Sequence, residues 1–137
     1  MTPSSHILEP DAQAILLLCG RLGSHDDSSV KPLTRNQYNK VANWLHNLDL
    51  RPAALLNDEG RDRLSKFGDQ GKVTEARLRR LLERGAALAM AVEEWTNKGG
   101  WILTRSDADY PTRFRRRLKL QAPPILYGIG DPKLLEY

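Results

Sequence analysis

Gly99-Gly100-Trp101-Ile102-Leu103-Thr104 divides this chain of 137 residues into two textures. Paired glycines stop a helix, and the aromatic and β-branched run behind them is strand-prone. Pro124-Ile125-Leu126-Tyr127-Gly128 is a second run of that kind. Between the two, Pro111 occupies a first-turn position, residues 113–118 supply a helix body, and Ala122-Pro123-Pro124 bars its continuation. After Gly128 and Gly130, Asp131 is placed to cap and Pro132 to open a last helix running to Tyr137. Strand, helix, strand, helix is the beginning of an α/β unit, and two strands make no stable sheet alone. Residues 99–137 therefore read as the first piece of an α/β domain whose remainder is missing.

Upstream, residues 1–98 read as a small all-helical domain. Ile15, Leu16, Leu18, Cys19 and Leu22 recur at helical spacing and predict a helix over 11–22, stopped by Gly23, with a polar loop over 24–32. Thr34 and Gln37 form the capping-box pattern, opening a helix over 35–48 whose stripe is Tyr38, Val41, Trp44, Leu45 and Leu48. Pro52 opens a short helix to Leu56, and Asn57 or Asp58 caps another through Phe67. Thr74 caps a longer stretch carrying Leu78, Leu81, Leu82, Leu88, Met90, Ala91 and Trp95, bent or broken at Gly85. The fold class is α+β overall: a helical bundle, then the first β-α-β-α elements of an incomplete sheet domain.

Hydrophobic residues at 40% and charged residues at 28% predict a packed core and exclude a disordered chain. The longest apolar run, from Ala14 to Cys19, is far short of a membrane span, and the N-terminus lacks the pattern of a secretory signal, so the cytoplasm is expected. Cys19, the single cysteine, reads as a buried, inert thiol. The net charge of +4 is unevenly spread. Residues 1–60 carry five basic and seven acidic groups, residues 61–84 eight and four, and residues 99–137 seven and four. A basic half after a slightly acidic one suggests an anionic partner, of which nucleic acid is the commonest, although solvated helix faces give the same count.

The ordered pieces Gly99 to Thr104, Asp107-Ala108-Asp109-Tyr110-Pro111, Arg113-Phe114-Arg115, Leu118, and Ala122-Pro123-Pro124-Ile125-Leu126-Tyr127-Gly128-Ile129-Gly130 resemble the opening of the DNA-processing protein A family, called DprA or Smf. The resemblance covers the N-terminal part of that family only. It implies a helical domain like a sterile alpha motif (SAM) followed by a Rossmann-like domain. It further implies single-stranded DNA binding and loading of a RecA-type recombinase in natural transformation or recombination. The family's phosphate-contacting loop would follow Tyr137, so the chain is expected to be a truncated form, with the main DNA contacts in the missing part. The Tyr-Pro and Pro-Pro pairs themselves read as scaffold.

Two basic stretches are candidate nucleic-acid contacts. Arg105 and the helix-borne Arg113, Arg116 and Arg117, with Arg115 and Lys119 beside them, form the denser one, and the helix puts 113, 116 and 117 on one face. Arg77, Arg80 and Arg84 form a second stripe by spacing, behind Gly68-Asp69-Gln70-Gly71-Lys72, a loose echo of a helix-hairpin-helix glycine turn. The aromatics Tyr38, Trp44, Trp95 and Trp101 read as core rather than as base-stacking platforms. His6, His25 and His46 have no partners at metal-ligand spacing, and no catalytic constellation or dinucleotide fingerprint occurs, so no metal, no cofactor and no enzyme activity is expected. The alternative function is a helical protein-interaction module with no DNA binding of its own.

Overall fold

A computed structural model describes residues 9–22, 30–107 and 110–129, and the fold is α+β. Helix α1 (Pro10–Cys19) starts on a proline, which has no amide to leave unbonded in the first turn. Ala12, Ala14, Ile15, Leu16, Leu17 and Leu18 are all buried, so the helix is enclosed on nearly every side and serves as the axis of the molecule. It ends three residues sooner than the apolar spacing predicts. Gly20 is extended, and the returning chain caps the end: the Leu33 amide donates to the Leu18 carbonyl at 2.8 Å in place of a further turn. Gly23, the expected stop, and most of the 24–32 loop lie outside the described residues.

The capping box at α2 (Arg35–Asn47) is present in both directions. The Gln37 amide donates to Thr34 Oγ1 at 3.2 Å, and the Thr34 amide donates to Gln37 Oε1 at 3.0 Å. Pro52–Leu56 is a 3₁₀ turn packed on α1 and tied there by Asp11. The Asp11 carboxylate accepts from the Ala53 amide at 2.8 Å and from the Arg51 guanidinium at 2.7 Å. Asn57 caps α3 (Asp58–Arg61), which is separate from α4 (Leu64–Phe67), so the single helix expected through Phe67 is two one-turn pieces. Gly60 lets α3 sit directly on the 3₁₀ turn, because a Cβ there would overlap the Ala54 carbonyl under it.

Thr74 caps α5 (Glu75–Leu82), and α6 (Gly85–Asn97) follows after a true break at Glu83 and Arg84. Gly99, at φ +76°, turns the chain from α6 into β1 (Gly100–Thr104). Helix α7 (Thr112–Leu118) and a 3₁₀ turn, Lys119–Gln121, then lead to β2 (Ile125–Ile129).

The expected α/β unit would join parallel strands across its helix, but β1 and β2 pair antiparallel, with Trp101 opposite Gly128 and Ile102 opposite Tyr127. The connection explains the difference. Its two ends are bonded together, Arg105 N–H to the Pro124 carbonyl at 3.0 Å, so β2 starts at the end of the sheet where β1 stops. Helix α7, about 10 Å long at 1.5 Å per residue, is too short to carry the chain back along the strand first. The last helix expected from Asp131 lies outside the described residues.

Alternation divides the hairpin between two cores. Ile102 and Ile125 point to the main core, built from α1, α2, α5 and their neighbours around Leu16, Leu18, Leu45, Leu55, Leu64, Leu78 and Leu81. Leu103 joins the smaller cluster of Tyr110 and Ala122, with Trp101, Phe114 and Leu126 packed against it. No described helix is long and apolar enough to cross a membrane.

Candidate nucleic-acid interface

Exposure and engagement with backbone carbonyls split the candidate arginines. Arg77 points inward. Its guanidinium donates to the Lys31, Pro32 and Lys72 carbonyls at 3.0, 2.8 and 3.0 Å and to Gln37 Oε1 at 3.1 Å, and its burial lowers its pKa. Arg84, only 5% exposed, donates to the Leu17 carbonyl of α1. Arg80 alone of the three stays exposed on α5. The expected stripe of Arg77, Arg80 and Arg84 is thus not assembled, because the break before Gly85 interrupts the helical register and turns Arg84 into the core.

The same use recurs along the basic segment 61–84. Arg61 donates to the Leu55 and Leu82 carbonyls, and Arg79 to the Arg61 carbonyl and to Glu75 at 2.8 Å. Guanidinium groups, with five donors in a planar fork, are suited to collecting carbonyls from separate loops. The glycine turn before α5 is also occupied by the protein itself. Asp69 accepts from the Glu75 amide at 3.2 Å and Thr74 from the Arg77 amide at 3.1 Å, so these amides are not presented to a phosphate.

Arg105 is a further brace. Its Nε donates to the Ala122 carbonyl at 2.9 Å and its Nη1 to Asn39 Oδ1 at 2.6 Å, and the guanidinium lies 5.8 Å from the Tyr38 ring centre. Burial lowers its pKa, with the Tyr38 and Tyr110 hydroxyls acting the other way. The motif pieces behind the family resemblance meet at this point. Tyr110, 1% exposed, donates from its hydroxyl to the Pro123 carbonyl at 2.8 Å, and Arg115 donates to the Arg105 and Asp107 carbonyls at 2.6 Å. They hold the connection in shape, as scaffold residues do.

What remains outward is α7. Arg113, Arg116 and Arg117 are exposed on it, Lys119 is exposed just beyond, and the helix carries no acidic residue. Arg116 and Arg117 make no ion pair or side-chain hydrogen bond among the described residues.

A groove of about 610 Å³ lies between the ends of α1 and α6 and the hairpin. Trp95, Trp101 and Tyr127 supply its aromatic surface, and Arg21, Arg35 and Lys98 its charge, with no Asp or Glu among the described residues of the lining. Trp95 and Tyr127 meet edge to face at 4.8 Å, and Tyr127 is 48% exposed. Burial raises the Tyr127 phenol pKa, opposed by its hydrogen bond with the Arg21 backbone. The sequence reading passes over this set, since Arg21, Arg35 and Lys98 come from three unremarkable segments and only folding collects them. Trp44, half-buried, packs against the core, edge to face on Phe67 at 5.2 Å.

Cys19 lies half-buried in the groove lining, and burial pushes its thiol up to about 12. No three His, Cys, Asp or Glu among the described residues group to hold a metal, and His6 and His25 lie outside those residues. No family model, no curated protein and no solved structure matches the chain.

Proposed function

We propose that the chain binds single-stranded DNA through the phosphate backbone, with Arg113, Arg116 and Arg117 of α7 as the contact surface. The observation that carries this is the contrast between arginines. Arg77, Arg84 and Arg105 are engaged with backbone carbonyls, whereas on α7 Arg116 and Arg117, beside the exposed Arg113, are exposed with no side-chain hydrogen bond among the described residues and no carboxylate on the helix. Phosphate contact is independent of sequence and needs charge and reach, which a short exposed helix supplies.

The resemblance to the DprA family extends the proposal. The chain would be the N-terminal part of a non-enzymatic mediator in the cytoplasm that passes single strands to a RecA-type recombinase in transformation or recombination. On that reading the helices are a SAM-like domain, residues 1–98. The hairpin, within residues 99–137, becomes the antiparallel margin of a Rossmann-like sheet, a common arrangement in mixed sheets.

A protein-interaction module is the second reading, and Met90 favours it. This large apolar side chain is 54% exposed on α6, the helix that bears no basic group before Lys98. Fluorescence anisotropy of a labelled dT oligonucleotide across a salt series separates the two. Saturable binding that weakens steeply with salt supports the phosphate surface on α7, and absence of binding at low salt removes it.

A further inference from the structure

We infer that the groove lined by Trp95, Trp101 and Tyr127 takes a nucleobase of the strand whose phosphates lie along α7, an inference that rests on the single-stranded DNA reading above. Charge and continuity carry it. The described lining joins three aromatic side chains to Arg21, Arg35 and Lys98 with no acidic residue among the described residues, which is the complement of an aromatic group attached to an anion. Lys98 does pair with Glu94 at 3.1 Å, but both side chains are solvent-exposed, so that pair is readily exchanged for a phosphate.

The groove adjoins the 3₁₀ turn that ends α7. Arg35, on the groove, donates to the Gln121 carbonyl in the 3₁₀ turn that ends α7, at 3.4 Å. From that turn the chain runs directly into Pro124 and Ile125, which line the groove. The turn at the end of α7 thus lies against Arg35 of the groove.

The test compares two probes on the intact chain: a dT oligonucleotide of about 12 nucleotides, and an abasic strand of equal length with the same phosphates. The expected result is affinity about tenfold higher for dT than for the abasic strand, with quenching of tryptophan fluorescence by dT alone. Tyr127→Leu, which keeps apolar volume and removes the phenol, should abolish most of that ratio. Lys98→Glu, on an exposed side chain outside the core, should weaken dT binding without changing the fold. Equal affinity of the wild-type chain for the two probes overturns the inference, as does an unchanged ratio in folded Tyr127→Leu. The underlying reading fails separately: Arg116→Glu with Arg117→Glu would then leave affinity for the abasic strand unchanged.

Discussion

The indole of Trp101 covers Gly128, its register partner across the hairpin, so closely that a Cβ at position 128 would overlap ring atoms Cε2, Cζ2 and Cη2. Glycine weakens a strand by leaving nothing to pack, and a cross-strand aromatic lying over it restores the lost contact. Gly128→Ala should therefore destabilise the fold by about 1–3 kcal/mol through overpacking, read as a lower urea midpoint. Gly85, the first residue of α6, has open space where its Cβ would go, and Gly85→Ala should instead raise the midpoint, by about 0.5–1 kcal/mol. Equal effects at the two positions would contradict the role given to Trp101.

Arg77 joins the 31–32 segment, Lys72 and the α2 capping box through four hydrogen bonds. Arg77→Ala should cost about 1.5–3 kcal/mol, since carbonyls paired with a charged donor lose it. Arg77→Lys should recover little of this, because a single ammonium cannot reach the same set of acceptors. The salt dependence of DNA affinity should be the same in these variants as in the wild type. A shallower slope would return Arg77 to the phosphate surface.

The outward arginines should behave in the opposite way. Arg116→Glu with Arg117→Glu touches no described hydrogen bond, so thermal stability should stay within about 0.5 kcal/mol of wild type. Affinity for single-stranded DNA should drop at low salt. The slope of log affinity against log salt should become shallower by roughly 0.7 for each phosphate contact removed. A destabilised protein with an unchanged slope would mean that α7 is a packing element.

Burial raises the Cys19 thiol from 9.0 to about 12, against the opposing charges of Arg105 and Arg84. Between those values the folded protein keeps a proton that the unfolded chain releases. The associated stability is complete below pH 9 and is lost as pH rises through about 12, and Tyr38, also pushed up by burial, acts in the same direction. Urea midpoints should therefore fall as pH is raised above 9. Because the thiolate is the reactive form, iodoacetamide near neutral pH should modify the native thiol about a thousandfold more slowly than the unfolded one. Similar rates in the two states would show that the site is wet.

Local grammar was readable where neighbours in sequence decide the outcome. Thr34 with Gln37, Pro52, Asn57, Thr74, the break at Gly85 and the turn at Gly99 all act within a few residues, and each marks an element boundary in the fold. The end of α1 was not readable, because the group that terminates it, the Leu33 amide, returns from beyond a loop. Strand direction was equally hidden, since it goes with the bond from the Arg105 amide to the Pro124 carbonyl across the connection. Arginine roles were the least legible. Spacing places Arg77, Arg80 and Arg84 on one side of an unbroken helix, but whether a guanidinium meets water or carbonyls depends on segments as distant as Lys31 and Leu17.

Gln37 Oε1 accepts from the Thr34 amide, closing the capping box of α2, and also from Arg77 of α5. One oxygen atom thus belongs to the start of two helices that lie 40 positions apart in sequence. Fraying, which ordinarily loosens a helix end independently of the rest of a protein, is no longer local at α2. Its first turn opens at its lowest cost only when α5 releases Arg77. Amide protons of the two helix starts should therefore exchange with solvent as a single cooperative unit, slower than those at the C-terminal end of either helix.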